Sequence, residues 1–300
     1  MAQILLATDG SDDSLSAALA VSDICAGTGS GLHVVHTLEP LPRYAYPGLT
    51  PEVYADIRDA RERDGRELLN DTCRYIESRG GRVTEIYLRS GSAVDEILGL
   101  AEELDASLIV MGSRGMGLVE RIVVGSVSEG VVHHAHCPVL VLRGGETAWP
   151  PARIVIGDDG SEEAARAGEL ATNIGKLFGA KALLMRVYPR LPEMDIPGRE
   201  LNARMVDDEL RREERKLGER GSEIKERVGI RPRIRIQVGD PAASILEAAR
   251  EEGAEKTLVA VGSRGLGMTQ RVRLGSVSTK IVRATGGPVL VNPRRGGSTL

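Results

Sequence analysis

The sequence repeats itself once. Displaced by 150 residues, Asp9-Gly10-Ser11 falls on Asp159-Gly160-Ser161, and GSRGMGLVERIVVGSVS (112–128) falls on GSRGLGMTQRVRLGSVS (262–278). Ten of those 17 positions are identical, including all four glycines. CPVLVL at 137–142 is answered by GPVLVN at 287–292. A period as long as a whole domain means a duplicated fold rather than a stack of short units. Three hundred residues also suit two domains by length alone. Between the copies, RGGETAWPPA (143–152) has the Gly-Gly, Pro-Pro and polar residues of a linker. The expected division is a domain over 1–143, a linker over 144–151 and a second domain over 152–295.

Each copy alternates strand and helix patterns. In the first, QILLAT reads as a short buried strand. Ser11-Asp12-Asp13 then opens a helix to about residue 26, with a serine cap and acids that suit the helix dipole. There follow the strand LHVVHTL, a Pro- and Tyr-rich loop (40–50), a charged helix over 51–79, the strand RVTEIYL, a helix over 93–104 and the strand SLIVMG. A glycine-rich loop (112–125), a helix over 126–135 and the strand PVLVL complete the copy. The second copy predicts RIVIG, 161–178, ALLMRV, 199–228, RIRIQV, 241–252, TLVAVG, a loop over 262–275, 276–284 and PVLV. Short continuous apolar strands between helices imply a parallel sheet covered on both faces, and right-handed crossovers make it doubly wound. Such α/β sheets bind ligands beyond the carboxyl ends of their strands, where strand order reverses.

Composition narrows the function. Hydrophobic residues are 41% and charged residues 27%, as in an ordinary soluble chain. Apolar runs such as PVLVL fall far short of the roughly 18–20 residues of a membrane span. Met1 leads straight into ILLATDG with no basic, cleavable leader, so a cytoplasmic protein is expected, with no membrane partner. Three widely spaced cysteines, Cys25, Cys73 and Cys137, argue against a disulfide framework or a thiolate metal site. Aromatics at 3% and a net charge of -4 argue against a nucleic-acid reader. The halves differ in charge: residues 1–150 hold 12 bases and 22 acids, and residues 151–300 hold 27 and 21. That is either drift of solvated surfaces or complementarity that helps the halves dock.

The glycine loops carry the chemistry. Gly112, Gly115, Gly125-Ser126 and their counterparts Gly262, Gly265, Gly275-Ser276 run from a strand end to a helix start. Glycine lets backbone approach a ligand closely, and the free N–H groups of a helix start favour an anion. The first helix of each copy begins with two acids, Asp12-Asp13 and Glu162-Glu163, which would repel phosphate. The helix after the glycine loop begins Gly-Ser-Val, with Arg114 or Arg264 in the loop. A phosphate is therefore expected at Gly125-Ser126 and Gly275-Ser276. The alternative is a tight loop whose serine caps a helix, Ser126 with Glu129 forming a capping box, and binds nothing. Walker A is excluded because no Lys precedes the Ser, and GSRGMG after the fourth strand is not a Rossmann GxGxxG.

Gly-x-x-Gly, nine residues, then Gly-Ser, with an upstream Asp and a closing PVLV strand, resembles the ATP-binding class of the universal stress protein family in tandem form. The resemblance implies a Rossmann-like α/β domain, strand order 3-2-1-4-5, in each copy. It implies ATP over the strand ends, with magnesium carried mainly on the phosphates. Carried over by position, Asp9 and Asp159 would contact adenosine, the alternative being an Asx turn or cap. Val34 and Val187 would bracket adenine, at a displacement of 153 rather than 150. The glycines, Ser126 and Ser276, with Val127 and Val277, would hold ribose and phosphates. Arg114 and Arg264 join as phosphate partners on charge alone. Val123 and Glu120 face Arg273 and Gln270 across the repeat, so the second site is expected to hold triphosphate more tightly.

Other signals are weaker. His133, His134 and His136 beside Cys137 could suggest metal or redox chemistry, but the second copy has Arg283, Ala284 and Gly286 there, and a helix C-terminus attracts cations anyway. RREERKLGER (211–220) interleaves acids and bases as a solvated helix face does. Trp149 is expected to pack at the junction between domains. The fifth strands would be apolar edges that invite pairing, so the copies are expected to associate within the chain, with a homodimer beyond. The leading reading is an ATP-binding stress-response regulator with an unidentified protein partner. Against it stand a slow ATPase or phosphotransferase, a cyclic-AMP-binding protein and a nucleotide-free scaffold. No general base is placed by a motif, and Asp9 and Asp159 are better used on adenosine.

Overall fold

The computed structural model of the chain describes residues 2–41, 48, 50–114, 125–143, 149–188, 199–263 and 275–293, and of residues 199–209 the backbone only. It divides between Trp149 and Pro150 into two compact units. The first runs β1 (Gln3–Ala7), α1 (Asp12–Thr28), β2 (Gly31–Leu38), α2 (Pro51–Ser78), β3 (Glu85–Ser90), α3 (Ala93–Glu103), β4 (Leu108–Gly112), α4 (Ser126–His134) and β5 (Val139–Leu142). The second runs β6 (Arg153–Gly157), α5 (Glu162–Lys176), β7 (Lys181–Tyr188), α6 (Arg199–Val228), β8 (Arg233–Val238), α7 (Pro241–Glu251), β9 (Thr257–Gly262), α8 (Ser276–Ala284) and β10 (Val289–Asn292).

All strands within a unit pair in parallel. The first unit lies in the order β3-β2-β1-β4-β5. The second repeats it as β8-β7-β6-β9-β10. The central strands are apolar throughout because helices cover both faces: Leu5, Leu6, Ile109 and Val110 are fully buried. The outer strands β3 (EIYLRS) and β8 (RIRIQV) carry charges and are partly exposed, which discourages further pairing at those edges. β3 begins three residues later than the sequence pattern suggests. Thr84 N–H first bonds the Leu32 carbonyl, and the ladder then follows β2 to its end, with Ser90 opposite Leu38.

Helix starts follow local chemistry. Ser11 caps α1 by accepting from Ser14 N–H, and Ser161 caps α5 by accepting from Ala164 N–H. Thr50 and Asp240 do the same for α2 and α7, each followed by Pro at the first helical position. Glycine closes the packing where α1 meets the sheet. A Cβ on Gly112 would stand 2.8 Å from the Asp13 carbonyl carbon, and one on Gly262 would stand 2.8 Å from Ala164 N. Only a residue without a side chain lets the first turn of α1 or α5 settle on the end of β4 or β9. That contact fixes the edge on which the site is built.

Candidate functional site

In the first unit the carboxyl ends of the strands open into a cleft of about 630 Å³. It lies where strand order reverses, between β1 and β4, and its size suits a small organic ligand. Ala7, Val35, Ala93, Ile97 and Met111 give it an apolar wall. Asp9, Ser113, Arg114 and the first turn of α4 give it a polar one.

The start of α4 differs from the other helix starts. Its cap is Gly125, in extended conformation (φ -72°, ψ 150°), and no side chain caps the turn. α8 starts the same way at Gly275. The serine cap and capping box of the alternative reading are therefore not formed. Because Gly125 and Gly275 already occupy the cap position, Ser126 and Ser276 become the first helical residues, and both are exposed. Another serine ties the loop. Ser113 carbonyl receives Gly125 N–H at 2.7 Å and Ser128 Oγ at 2.9 Å, which draws the two ends of the glycine loop together. In the second unit Gly275 N–H reaches Ser263 carbonyl at 2.6 Å, and Ser278 Oγ reaches Gly262 carbonyl at 2.7 Å. Ser126 and Val127, at the opening of α4, line the cleft, and among the described residues no side chain caps that first turn.

Asp9 stands at the end of β1 and forms the Asx turn that was the alternative to a ligand role. Its Oδ1 accepts from Ser11 N–H at 3.1 Å and from Ser11 Oγ at 2.6 Å. Gly10 takes φ +82° to make that turn, and Gly160 takes +88° in the second copy, where Asp159 Oδ1 accepts from Ser161 N–H at 2.9 Å. The turn orients the carboxylate at the cleft, which Asp9 also lines.

Six of the residues expected in the first site come together around this cleft: Asp9, Gly112, Arg114, Gly125, Ser126 and Val127. Val34 does not. It is wholly buried in β2, opposite Leu6, while Val35, His36 and Thr37 line the cleft. The displacement of 153 used to pair Val34 with Val187 is also not the one the sheets follow. Leu6 pairs with Val34 and Ile156 with Leu184, so the offset stays at 150 and Val187 corresponds to Thr37. Of the second set, Asp159, Val187, Gly262, Gly275, Ser276 and Val277 occupy the matching strand ends and helix start. Gly115, Arg264 and Gly265 lie outside the described residues, as do Glu120, Val123, Gln270 and Arg273.

Among the described residues the second unit carries a charged network that the first lacks. Where the first has Thr8 and His36, the second has Asp158 and Arg186. His36 Nδ1–H donates to the Thr8 carbonyl at 2.8 Å. Arg186 instead donates to Asp158 Oδ1 and to Glu213 Oε2 of α6, both at 2.5 Å. Tyr188 OH donates to the same Glu213 oxygen at 2.6 Å, and Lys216 Nζ reaches its other oxygen at 2.6 Å. Burial opposes the charge on Arg186, but Asp158 and Glu213 more than offset it and hold its pKa above the ordinary value. Lys216, Tyr188 and Arg186 hold the Glu213 carboxyl down to about 2. Burial and Glu213 push Tyr188 up to about 12.

The histidines near the end of α4 each find a separate partner. His133 Nε2 lies 3.8 Å from Glu129, His134 Nδ1 donates to the Gly130 carbonyl at 2.8 Å, and His136 Nδ1 lies 3.6 Å from Glu102. Among the described residues no group of three or more His, Cys, Asp or Glu could hold a metal ion. Burial pushes Cys25 up to about 11 and Cys137 up to about 12, so neither is a ready nucleophile. Trp149 is buried, and its indole N–H donates to Asp23 of α1 at 2.9 Å. Among the described residues no helix is long and apolar enough to cross a membrane.

Four features of the site carry no signal in the motifs above. Thr37 is findable by holding the offset at 150. The pair Asp158 and Arg186 is findable as two charges of opposite sign that enter together against Thr8 and His36. Arg143, buried directly after β5, is findable as a cation set against Pro293. The apolar wall from Ala93 and Ile97 has no motif to mark it.

Comparison with known proteins follows the same division. The family model described as the universal stress protein family matches residues 1–143 and again 151–293. A universal stress protein of Mycobacterium tuberculosis is 27% identical over 296 residues, covering 96% of each chain. Another from that organism is 31% identical over 222 residues, covering 71% of this chain and 67% of its own. The crystal structure of a universal stress protein from Archaeoglobus fulgidus superposes with a TM-score of 0.66 at 26% identity, covering 98% of both chains.

Proposed function

We propose that this chain, which belongs to the universal stress protein family and carries its domain twice, binds one ATP in each half and acts as a nucleotide-dependent regulator. The observation that supports this best is the uncapped start of α4 at one side of a cleft whose other side is apolar. A nucleotide needs both surfaces. Its base is a flat, weakly polar ring that gains from burial against Val35, Ile97 and Met111. Its phosphates need donors and positive potential, which the first turn of α4 and Arg114 supply. Asp9, held by its Asx turn, accepts from ribose hydroxyls between them. Magnesium arrives on the phosphates. The second unit repeats the uncapped helix start at Gly275, with Asp159 at the matching strand end.

The output in this reading is occupancy. ATP bound to a folded unit stabilises it by mass action, and a protein partner in the cytoplasm reads the difference. Aspartate in place of Ser126 or Ser276 tests the phosphate position. Both serines are exposed first-turn residues, where an acid suits the helix dipole, so the fold is preserved or slightly stabilised. An acid there also repels phosphate. Calorimetric titration of the full chain with ATP should show two sites in the parent, one each in S126D and S276D, and none in the double variant. A double variant that binds ATP like the parent contradicts the placement.

A further inference from the structure

In the second unit a buried ion cluster joins the aspartate turn to α6. Asp158 is 4% exposed and Arg186 7%. Asp158 Oδ1 accepts from Gly160 N–H at 2.7 Å, inside the turn that presents Asp159. The same oxygen accepts from Arg186, which also donates to Glu213 of α6. Arg220, one turn and a half further along α6, closes the circuit, with its Nε 3.6 Å from Asp158 Oδ2. The first unit fills these places without a carboxylate or a guanidinium. Leu69 and Ile76 of α2 match Leu217 and Ile224 of α6 at a displacement of 148, so Gly65 matches Glu213 and Thr72 matches Arg220. Thr8 Oγ1 accepts from Gly10 N–H at 3.4 Å, a long bond where Asp158 makes a short one. A Cβ on Gly65 would stand 3.2 Å from His36 Cδ2, so α2 meets His36 by packing. Thr72 Oγ1 turns back to the Leu68 carbonyl of its own helix. In the second unit each buried charge is held by another, and drawing one away strands its partner in a low dielectric. The turn cannot shift without working against α6, and α6 is steadied when the turn is.

We infer that this cluster couples nucleotide occupancy of the second unit to α6, so that a bound nucleotide steadies a helix outside the site. This rests on the nucleotide reading above, in which Asp159 meets the ribose. Among the described residues none of α2 lines the cleft of the first unit, and α6 is the counterpart of α2. The route to α6 is therefore Asp158, Arg186 and Glu213 rather than direct contact. The first unit, built without the cluster, confines the effect of its nucleotide to the cleft.

The test uses the full chain carrying S126D, in which the second unit alone takes ATP. Calorimetric titration reads binding, and hydrogen exchange with and without saturating ATP reads α6. ATP should slow exchange in α6 around Glu213 and Arg220 by roughly threefold or more. In the S276D chain, where the first unit alone takes ATP, exchange in α2 should stay within about 1.5-fold. E213Q, added to S126D, cuts the link at α6 and leaves the bond from Gly160 to Asp158. It should bind ATP within about threefold of its parent and lose the ATP-dependent slowing of α6. D158T/R186H/E213G gives the second unit the residues with which the first one folds. It should likewise bind ATP without slowing α6, and it carries the test should E213Q fail to fold. A merely structural cluster would change exchange equally with and without ATP. Slowing of α6 that survives in both variants, α6 unchanged in an S126D chain that binds ATP, or equal slowing of α2 in S276D overturns the coupling. No binding of ATP by the S126D chain overturns the nucleotide reading of the second unit, and this inference with it. Binding of ATP upholds that reading, and the exchange measurements then decide the coupling by themselves.

Discussion

Gly125 has no side chain with which to cap the first N–H groups of α4, whereas Ser11 caps α1 by accepting from Ser14 N–H. The neighbours of these residues are equally particular. Thr37 lines the cleft and Val34 does not, so substitutions at the two should separate cleanly. T37W should fill the apolar end and lower ATP affinity of the first unit by roughly tenfold or more, with little change in melting temperature. V34A should cost about 2 kcal/mol of stability by leaving a cavity in the sheet, while the folded protein binds ATP as before. Titration and thermal melts of both variants check this, and the reverse pattern would put Val34 at the ligand. Glycine and serine were legible at these positions because the repeat marks them twice. Thr37 was not, because it differs from Val187 and identity could not signal it. Arg143 was hidden for the same reason: against Pro293 a buried cation looks like drift.

Helices and strands were more legible than contacts between them. The central strands follow their apolar pattern closely, since buried parallel strands tolerate little else. What sequence did not show is how α1 seats on β4 through Gly112, or how α6 ties to β7 in the second unit. That tie has a pH signature. Glu213 titrates at about 2 in the fold against an ordinary value of 4.5, held down by Lys216, Tyr188 and Arg186. A depressed carboxylate stabilises the fold fully above its unfolded value, and that stabilisation is lost as pH falls from about 4.5 towards about 2. Hydrogen exchange in α6, corrected for its intrinsic pH dependence, should therefore show falling protection across that window. E213Q should exchange faster at neutral pH and lose most of that pH dependence. Unchanged α6 protection in E213Q at pH 7 would show that the network does not hold the helix.

Duplication shaped the chain as two units of one topology with unequal chemistry. Each keeps the strand order, the glycine-started helix and the aspartate turn. The first adds Arg143 after β5, bonded to Ser113, and the second adds Asp158, Arg186 and Glu213 beside its strand ends. The tandem was legible at once because one copy reports on the other. The inequality was not, because charges that matter to a buried network look like surface variation in a sequence. The number of nucleotides that one chain carries bears most directly on whether both halves bind. Purified without added nucleotide, saturated with ATP, desalted and measured by native mass spectrometry, the full chain should carry two ATP. A chain that carries none at saturating ATP would contradict nucleotide binding, and would leave both glycine loops as packing devices alone.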